Sequence, residues 1–126
     1  MDVLRKALGV ACLVYGLIFL VAALTHAGIA LAPLAEPVIA PAAIVETVCG
    51  AAVLAGGYGA LAGWARAWDG LIYAQAVALA GVLLGILALA LGGAAATPLH
   101  TWYHRTIATL LALGLGGAFY VSRVRR

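Results

Sequence analysis

Residues 71–92 read LIYAQAVALAGVLLGILALALG, and this stretch decides the fold. It contains no charged residue. It is long enough to cross the hydrocarbon core of a bilayer, which takes about 20 apolar residues of α-helix. Segments at about 7–27, 42–63 and 103–121 have the same character. The sequence therefore predicts four transmembrane helices.

The overall composition agrees with this prediction. The chain has 126 residues, of which 67% are hydrophobic and 9% charged. Soluble domains are about 45–50% apolar and about 25% charged. A soluble fold of this length could not hide so much apolar surface, because small domains leave much of their surface in water. We therefore expect a single all-α domain, residues 1–126, embedded in a lipid bilayer.

The basic residues predict how the chain is oriented. In a chain that crosses the bilayer four times, one side holds Arg5, Lys6, Arg66, Arg123, Arg125 and Arg126, and the other holds Arg105. The positive-inside rule then puts both termini in the cytoplasm. Short connections favour an up-down antiparallel four-helix bundle. The net charge of +3 thus reflects topology and contact with anionic lipid, and it does not indicate nucleic-acid binding.

Two cysteines, Cys12 and Cys49, lie inside predicted helices 1 and 2. At a rise of 1.5 Å per residue, their depths in the bilayer differ by about 12 Å. A disulfide needs Cα atoms within about 7 Å of each other. We therefore expect both cysteines to be unpaired packing residues.

Glu46 is the ionisable residue that stands out within these segments. It lies in the otherwise apolar stretch 42–54 of helix 2. A charged side chain inside a bilayer costs about 2.5–3.5 kcal/mol on insertion scales, so it marks a functional-site hypothesis by default. Helix 3 offers no comparable residue, and its strongly polar side chain is Gln75.

All three histidines fall at the same, outer side of the predicted bundle as Glu46. His26 ends helix 1, and His100 and His104 stand at the start of helix 4. Their i,i+4 spacing puts both on one helical face if helix 4 begins early enough. Tyr103 and Arg105 belong to the same layer. The sequence therefore predicts a polar cluster at the outer end of the bundle.

Two interpretations of this cluster need no metal. In the first, Glu46 pairs with Arg105 or a histidine and ties helices 2 and 4 together, because intramembrane charges usually pair. In the second, the cluster binds a small ligand, a proton or a quinone headgroup. In general, burial raises the pKa of a carboxyl group and a neighbouring cation lowers it. Carboxyl groups under both influences are found at functional sites. The ligand-binding residues would be Glu46, His26, His104, Arg105 and Tyr103.

Two further interpretations involve a cofactor. His26, His100, His104 and Glu46 would form a His/carboxylate set suited to zinc, copper or iron. Alternatively, His26 and His104 would be the axial ligands of a haem held between facing helices. The sequence does not separate these two interpretations, and our leading expectation is a chain that binds no cofactor.

The sequence gives little support for catalysis or transport. No nucleophile stands beside a base in a recognisable order, and no phosphate-binding loop is present. No chain of carboxylates crosses the predicted helices, which argues against a channel or multi-ion transporter. We therefore name no catalytic residue. Small-residue faces such as Gly81 and Gly85 favour close helix packing, either within the chain or against a larger membrane complex or a second copy.

Two stretches of helices 1 and 2 carry a resemblance to a known family. The pattern Ile44-Val45-Glu46, then Gly50, Leu54 and Gly56, precedes the basic turn at Arg66, and Leu4-Arg5-Lys6-Ala7-Leu8-Gly9 precedes Gly16. This half of the chain resembles DoxX-like small four-helix membrane proteins of bacteria. The resemblance implies a bacterial cytoplasmic membrane, an association with quinone-linked redox complexes, and a pocket lined by Glu46.

The leading hypothesis is thus a small accessory or binding protein with a Glu/His pocket at the extracytoplasmic end. The alternatives are a metal- or haem-binding protein and a purely structural subunit.

Overall fold

The computed structural model describes residues 2–34, 36–92 and 97–124. The α-helices are α1 (Asp2–His26), α2 (Ala40–Leu61), α3 (Ala67–Ala90) and α4 (Pro98–Phe119), and a π-helical turn, Tyr120–Val124, extends α4. All four helices are long and apolar enough to cross a membrane, judged by length and composition. The prediction of an all-helical fold is therefore confirmed for the described residues, and their four helices are each suited to cross a membrane.

The outward faces of the helices are apolar, as lipid-facing surfaces are. Leu17, Leu84 and Leu113 each have more than half of their surface uncovered by the chain. Soluble monomers rarely expose large contiguous apolar patches. The uncovered leucines therefore support a multi-pass membrane protein.

All four helices begin earlier than the apolar pattern predicts, α2 by two residues at Ala40 and the others by four or five, at Asp2, Ala67 and Pro98. In α4 the reason is local. The Thr97 hydroxyl accepts a hydrogen bond from the His100 backbone N–H at 3.0 Å, which caps the helix start. Proline suits the first helical position, where no N–H is needed. Hydropathy located the span, but capping chemistry decides where the helix starts.

Glycines end the first two helices. Gly28 and Gly63 lie two residues beyond α1 and α2, with φ of +92° and +72°. The Trp64 N–H donates to the Gly59 carbonyl at 3.0 Å, the pattern of a left-handed glycine cap. Gly63, which the predicted boundary placed inside helix 2, therefore terminates α2.

Helices that are consecutive in the chain are the main packing partners, and α1 makes smaller contacts with both α3 and α4. Glycines allow the close approach of α3. A Cβ at Gly81 would collide with the Cys49 Sγ atom of α2. Both cysteines, Cys12 and Cys49, are buried and free, as predicted.

The end of the molecule that holds the start of α3 and the end of α4 carries a surface ion pair. Arg123 Nη2 donates to Asp69 Oδ1 at 2.8 Å. The two side chains are 46% and 29% exposed. Between this ion pair and the centre of the molecule, Gln75 is fully buried and lies against Gly114 of α4.

Candidate metal and ligand site

Five side chains from three helices and one loop gather at the opposite end of the molecule. His26 is the last residue of α1, Glu46 lies in the second turn of α2, and His100 and His104 lie in the first two turns of α4. Glu36 comes from the loop between α1 and α2. We call His26, Glu36, Glu46, His100 and His104 the histidine cluster.

His26 and Glu46 form the shortest polar contact of the cluster. His26 Nδ1 lies 2.7 Å from Glu46 Oε2, and the two residues are only 2% and 6% exposed. The predicted pairing of Glu46 with a histidine is therefore present, but it ties α1 to α2, whereas the prediction had it tie helices 2 and 4. Arg105 is exposed, and the described residues show no ion pair between it and Glu46.

The second nitrogen of His26 has no protein partner. When Nδ1 of a neutral imidazole carries the proton and donates it, Nε2 keeps a free lone pair. His26 Nε2 is buried and lacks a hydrogen-bond partner among the described residues. Glu46 thus fixes the ring so that Nε2 is left available as a ligand atom.

His100 lies next to His26 and is also incompletely bonded. Their ring centroids are 5.1 Å apart, and His100 is 6% exposed. Within residues 2–34, 36–92 and 97–124, His100 Nδ1 is buried without a hydrogen-bond partner. Buried polar atoms are almost always bonded, so two unpartnered imidazole nitrogens side by side call for an explanation.

His104 is held differently. Its Nδ1 lies 2.9 Å from the backbone oxygen of His100, which is the acceptor. A Cβ on Gly85 of α3 would collide with the His104 ring at Nε2. One nitrogen of His104 is therefore used by its own helix, and the other lies against α3.

Glu36 brings the loop into the cluster. Its two carboxylate oxygens accept from the Thr97 hydroxyl at 3.2 and 3.3 Å. Ligand atoms of Glu36, His26 and His100 all lie within 4.8 Å of one another. The sequence prediction did not include Glu36 among the site residues. In the sequence, Glu36 is a carboxylate in a loop between Pro33 and Pro37. Nothing in that pattern predicts which way its side chain points.

Tyr103 borders the cluster, as the predicted layer has it. Its ring meets the His104 ring edge-on, with centroids 5.1 Å apart. Its hydroxyl is buried and, in the part of the chain that is described, has no hydrogen-bond partner. Tyr103 therefore adds a third unsatisfied polar atom next to the histidines.

Two cavities border the cluster. The first, which we call the small chamber, has a volume of about 170 Å³ and is lined by His26, Glu36, His100 and Tyr103 together with apolar side chains of α1 and α4. The second, which we call the large groove, has a volume of about 380 Å³ and lies among α2, α3 and the start of α4. His100 lines both cavities, so the histidine cluster forms the wall between them.

No protein-family model, curated protein sequence or solved structure matches the chain.

Proposed function

We propose that this chain is a small multi-pass membrane protein that binds a divalent transition-metal ion through His26, Glu36 and His100. The observation that carries the proposal is the approach of their ligand atoms to within 4.8 Å of one another. Two imidazoles and one carboxylate form the ligand set of many zinc sites and of non-haem iron sites. The set differs from the predicted one, because Glu36 takes the place of His104 and Glu46.

Glu46 supports the site from outside the ligand set. Metal-bound histidines usually donate their second N–H to a carboxylate, which fixes the tautomer and orients the ring. The 2.7 Å contact between Glu46 Oε2 and His26 Nδ1 has this form. It leaves Nε2, the unpartnered nitrogen, as the ligand atom.

The distances fit a metal ion after a small movement. Ligands of a tetrahedral zinc ion lie about 3.4 Å apart, because each sits at about 2.0–2.1 Å from the metal. Glu36 lies on a loop, so it can close the difference from the observed 4.8 Å limit more easily than a residue on a helix. Three protein ligands leave a coordination position free, and all three line the small chamber. Open positions of this kind are typical of catalytic zinc sites.

The proposal extends to topology and location. The basic residues support cytoplasmic termini, an up-down antiparallel bundle and a metal site on the outer side of the membrane. The DoxX-like motifs of helices 1 and 2 support a bacterial cytoplasmic membrane and a place beside a larger redox complex. The glycine faces at Gly81 and Gly85 are occupied by Cys49 and His104, which favours packing within the chain over a dedicated docking face.

Metal content tests the proposal. Protein purified in detergent is incubated with Zn²⁺ or Co²⁺, desalted and analysed by mass spectrometry of the metal. We expect an equimolar ion that is lost in His26→Ala and in His100→Ala. Glu46→Gln should weaken affinity by about 10–100-fold, the usual effect of removing a supporting carboxylate.

His104→Gln is the matched control, because His104 has the same residue type and burial but lies outside the ligand set. It should keep the ion. Absence of binding in the native chain, or loss in His104→Gln with retention in His100→Ala, would contradict the proposed ligand set.

A further inference from the structure

The large groove has the size and wall of a small-molecule site. Its volume is about 380 Å³, and ligand pockets typically hold about 300–1,000 Å³ with mostly apolar walls. The wall is apolar along most of its length, with Val45 of α2 and Leu84 and Leu89 of α3. The groove and the small chamber share His100 but are separate cavities, so a ligand in the groove does not require a metal ion.

Two buried polar side chains interrupt this apolar wall at one end. Glu46 and His100 both line the groove, and each is 6% exposed. One carboxylate oxygen of Glu46, Oε2, accepts a hydrogen bond from His26 Nδ1. The other oxygen of Glu46, Oε1, has no hydrogen-bond partner within the described ranges. The groove therefore ends at a strong acceptor that can take a further hydrogen bond.

The glycines of α3 help to leave the groove open. Gly81 and Gly85 line it, and side chains at these positions would collide with Cys49 and His104. Leu84 lies between them and is 59% exposed. The groove can therefore be reached from the outer surface of the helices, which faces lipid in a membrane.

We propose that the large groove binds a lipid-soluble, uncharged molecule whose hydroxyl group donates a hydrogen bond to Glu46. Its apolar body lies along Val45, Leu84 and Leu89. A carboxylate or phosphate head would meet the like charge of Glu46 and is disfavoured. A pure hydrocarbon would cover the second carboxylate oxygen of Glu46 without giving it a hydrogen bond, which costs free energy.

Photolabelling in lipid vesicles tests this site. The probe is a medium-chain alcohol that carries a diazirine on its chain, and the matched probe is the same molecule without the hydroxyl. We expect the alcohol to label peptides of α2 and α3 around Val45 and Leu84. Labelling there should exceed that of the hydrocarbon probe by about tenfold, the effect of about 1.4 kcal/mol.

Two variants separate the groove from the hydroxyl contact. Ala88→Phe adds a ring to a lining position and should remove the labelling. Ala80→Phe, on an exposed position of the same helix outside the groove, should not. Glu46→Met should bring labelling by the alcohol down to the level of the hydrocarbon probe.

Equal labelling by the two probes in the native chain would overturn the proposal, because it would mean that lipid chains merely fill the groove. Labelling that Ala88→Phe leaves unchanged would overturn it as well. Metal content measured in the same samples reports separately on the ligand set His26, Glu36 and His100. Failure of one proposal is therefore distinguishable from failure of the other.

Discussion

A carboxylate contacts a nitrogen base at each end of the molecule, Glu46 with His26 and Asp69 with Arg123, and these two pairs differ in burial far more than in length. His26 and Glu46 approach to 2.7 Å, and their side chains are 3% and 8% exposed. Arg123 and Asp69 approach to 2.8 Å, and theirs are 46% and 29% exposed. Contact distance alone would rank the two pairs as equals.

Burial changes what each pair can do. A surface pair contributes about 0–1 kcal/mol, because water and salt screen it. A buried pair does not by itself make the fold more stable, but loss of one partner leaves an uncompensated polar group in an apolar surrounding. The pair at the histidine cluster is therefore costly to break. The role of the His26–Glu46 pair is therefore better explained by the orientation of the His26 ring than by a gain in stability.

The largest expected effect comes from Glu46→Ala. Deleting the carboxylate leaves the buried His26 N–H without an acceptor, which costs about 1–3 kcal/mol. The substitution also removes a buried methylene group, at about 0.8 kcal/mol. We expect a loss of about their sum in the free energy of unfolding, measured by titration with sodium dodecyl sulfate in mixed micelles. Glu46→Gln keeps an acceptor for His26 and should lose much less. A loss below about 1 kcal/mol in Glu46→Ala would mean that the His26–Glu46 pair contributes no more than an exposed pair does, which would contradict the prediction.

The next largest effect is expected from Gly85→Ala at the histidine cluster, with Gly116→Ala at the other end as its comparison. In Gly85→Ala the new methyl group meets the His104 ring, which its bond to the His100 carbonyl holds in place. Overpacking of this kind costs about 1–3 kcal/mol. Gly116, at the other end, has no described atom within 4 Å of the added carbon. Gly116→Ala should not lower the same unfolding free energy, and the better helix propensity of alanine should raise it by up to about 1 kcal/mol.

The smallest expected effect is that of Asp69→Asn. It removes the charge that Arg123 contacts at 2.8 Å, in a partly exposed pair. We expect a loss of about 0–1 kcal/mol, and one that shrinks as salt is added, because ions screen exposed charges. Unfolding titrations at low and high ionic strength measure it. A loss comparable to that of Glu46→Ala would show that burial does not separate the two ends.

The sequence predicts the helices better than it predicts the contacts of the cluster. Four spans follow from hydropathy, because a lipid core selects for long apolar helices. The layer that holds Glu46 and the histidines follows from counting residues along each span. The partner of Glu46 does not follow, because depth in the bilayer says nothing about rotation around the helix axis. His26 and Arg105 are equally suitable by depth, and the fold turns His26 inward and Arg105 outward.

Glu36 shows a second limit. A residue in a proline-containing loop has no periodicity that assigns it a face. Its place beside His26 and His100 depends on the Thr97 hydroxyl, which contacts the Glu36 carboxylate and caps α4 at once. The early start of α4 is local chemistry that hydropathy does not detect. The ligand set could therefore be found only once the cap and the loop were placed together.

The bond between His26 and Glu46 joins helices that are consecutive in the chain, and this bears on how the chain enters the membrane during synthesis. Alone, α2 would bring a bare carboxylate into lipid, at about 2.5–3.5 kcal/mol. α1 is synthesised first, and its last residue, His26, supplies the imidazole that hydrogen-bonds to this carboxylate. The first two helices thus form a hairpin whose polar partners are both present before α3 is synthesised. Insertion of α2 can therefore proceed without help from the second half of the chain.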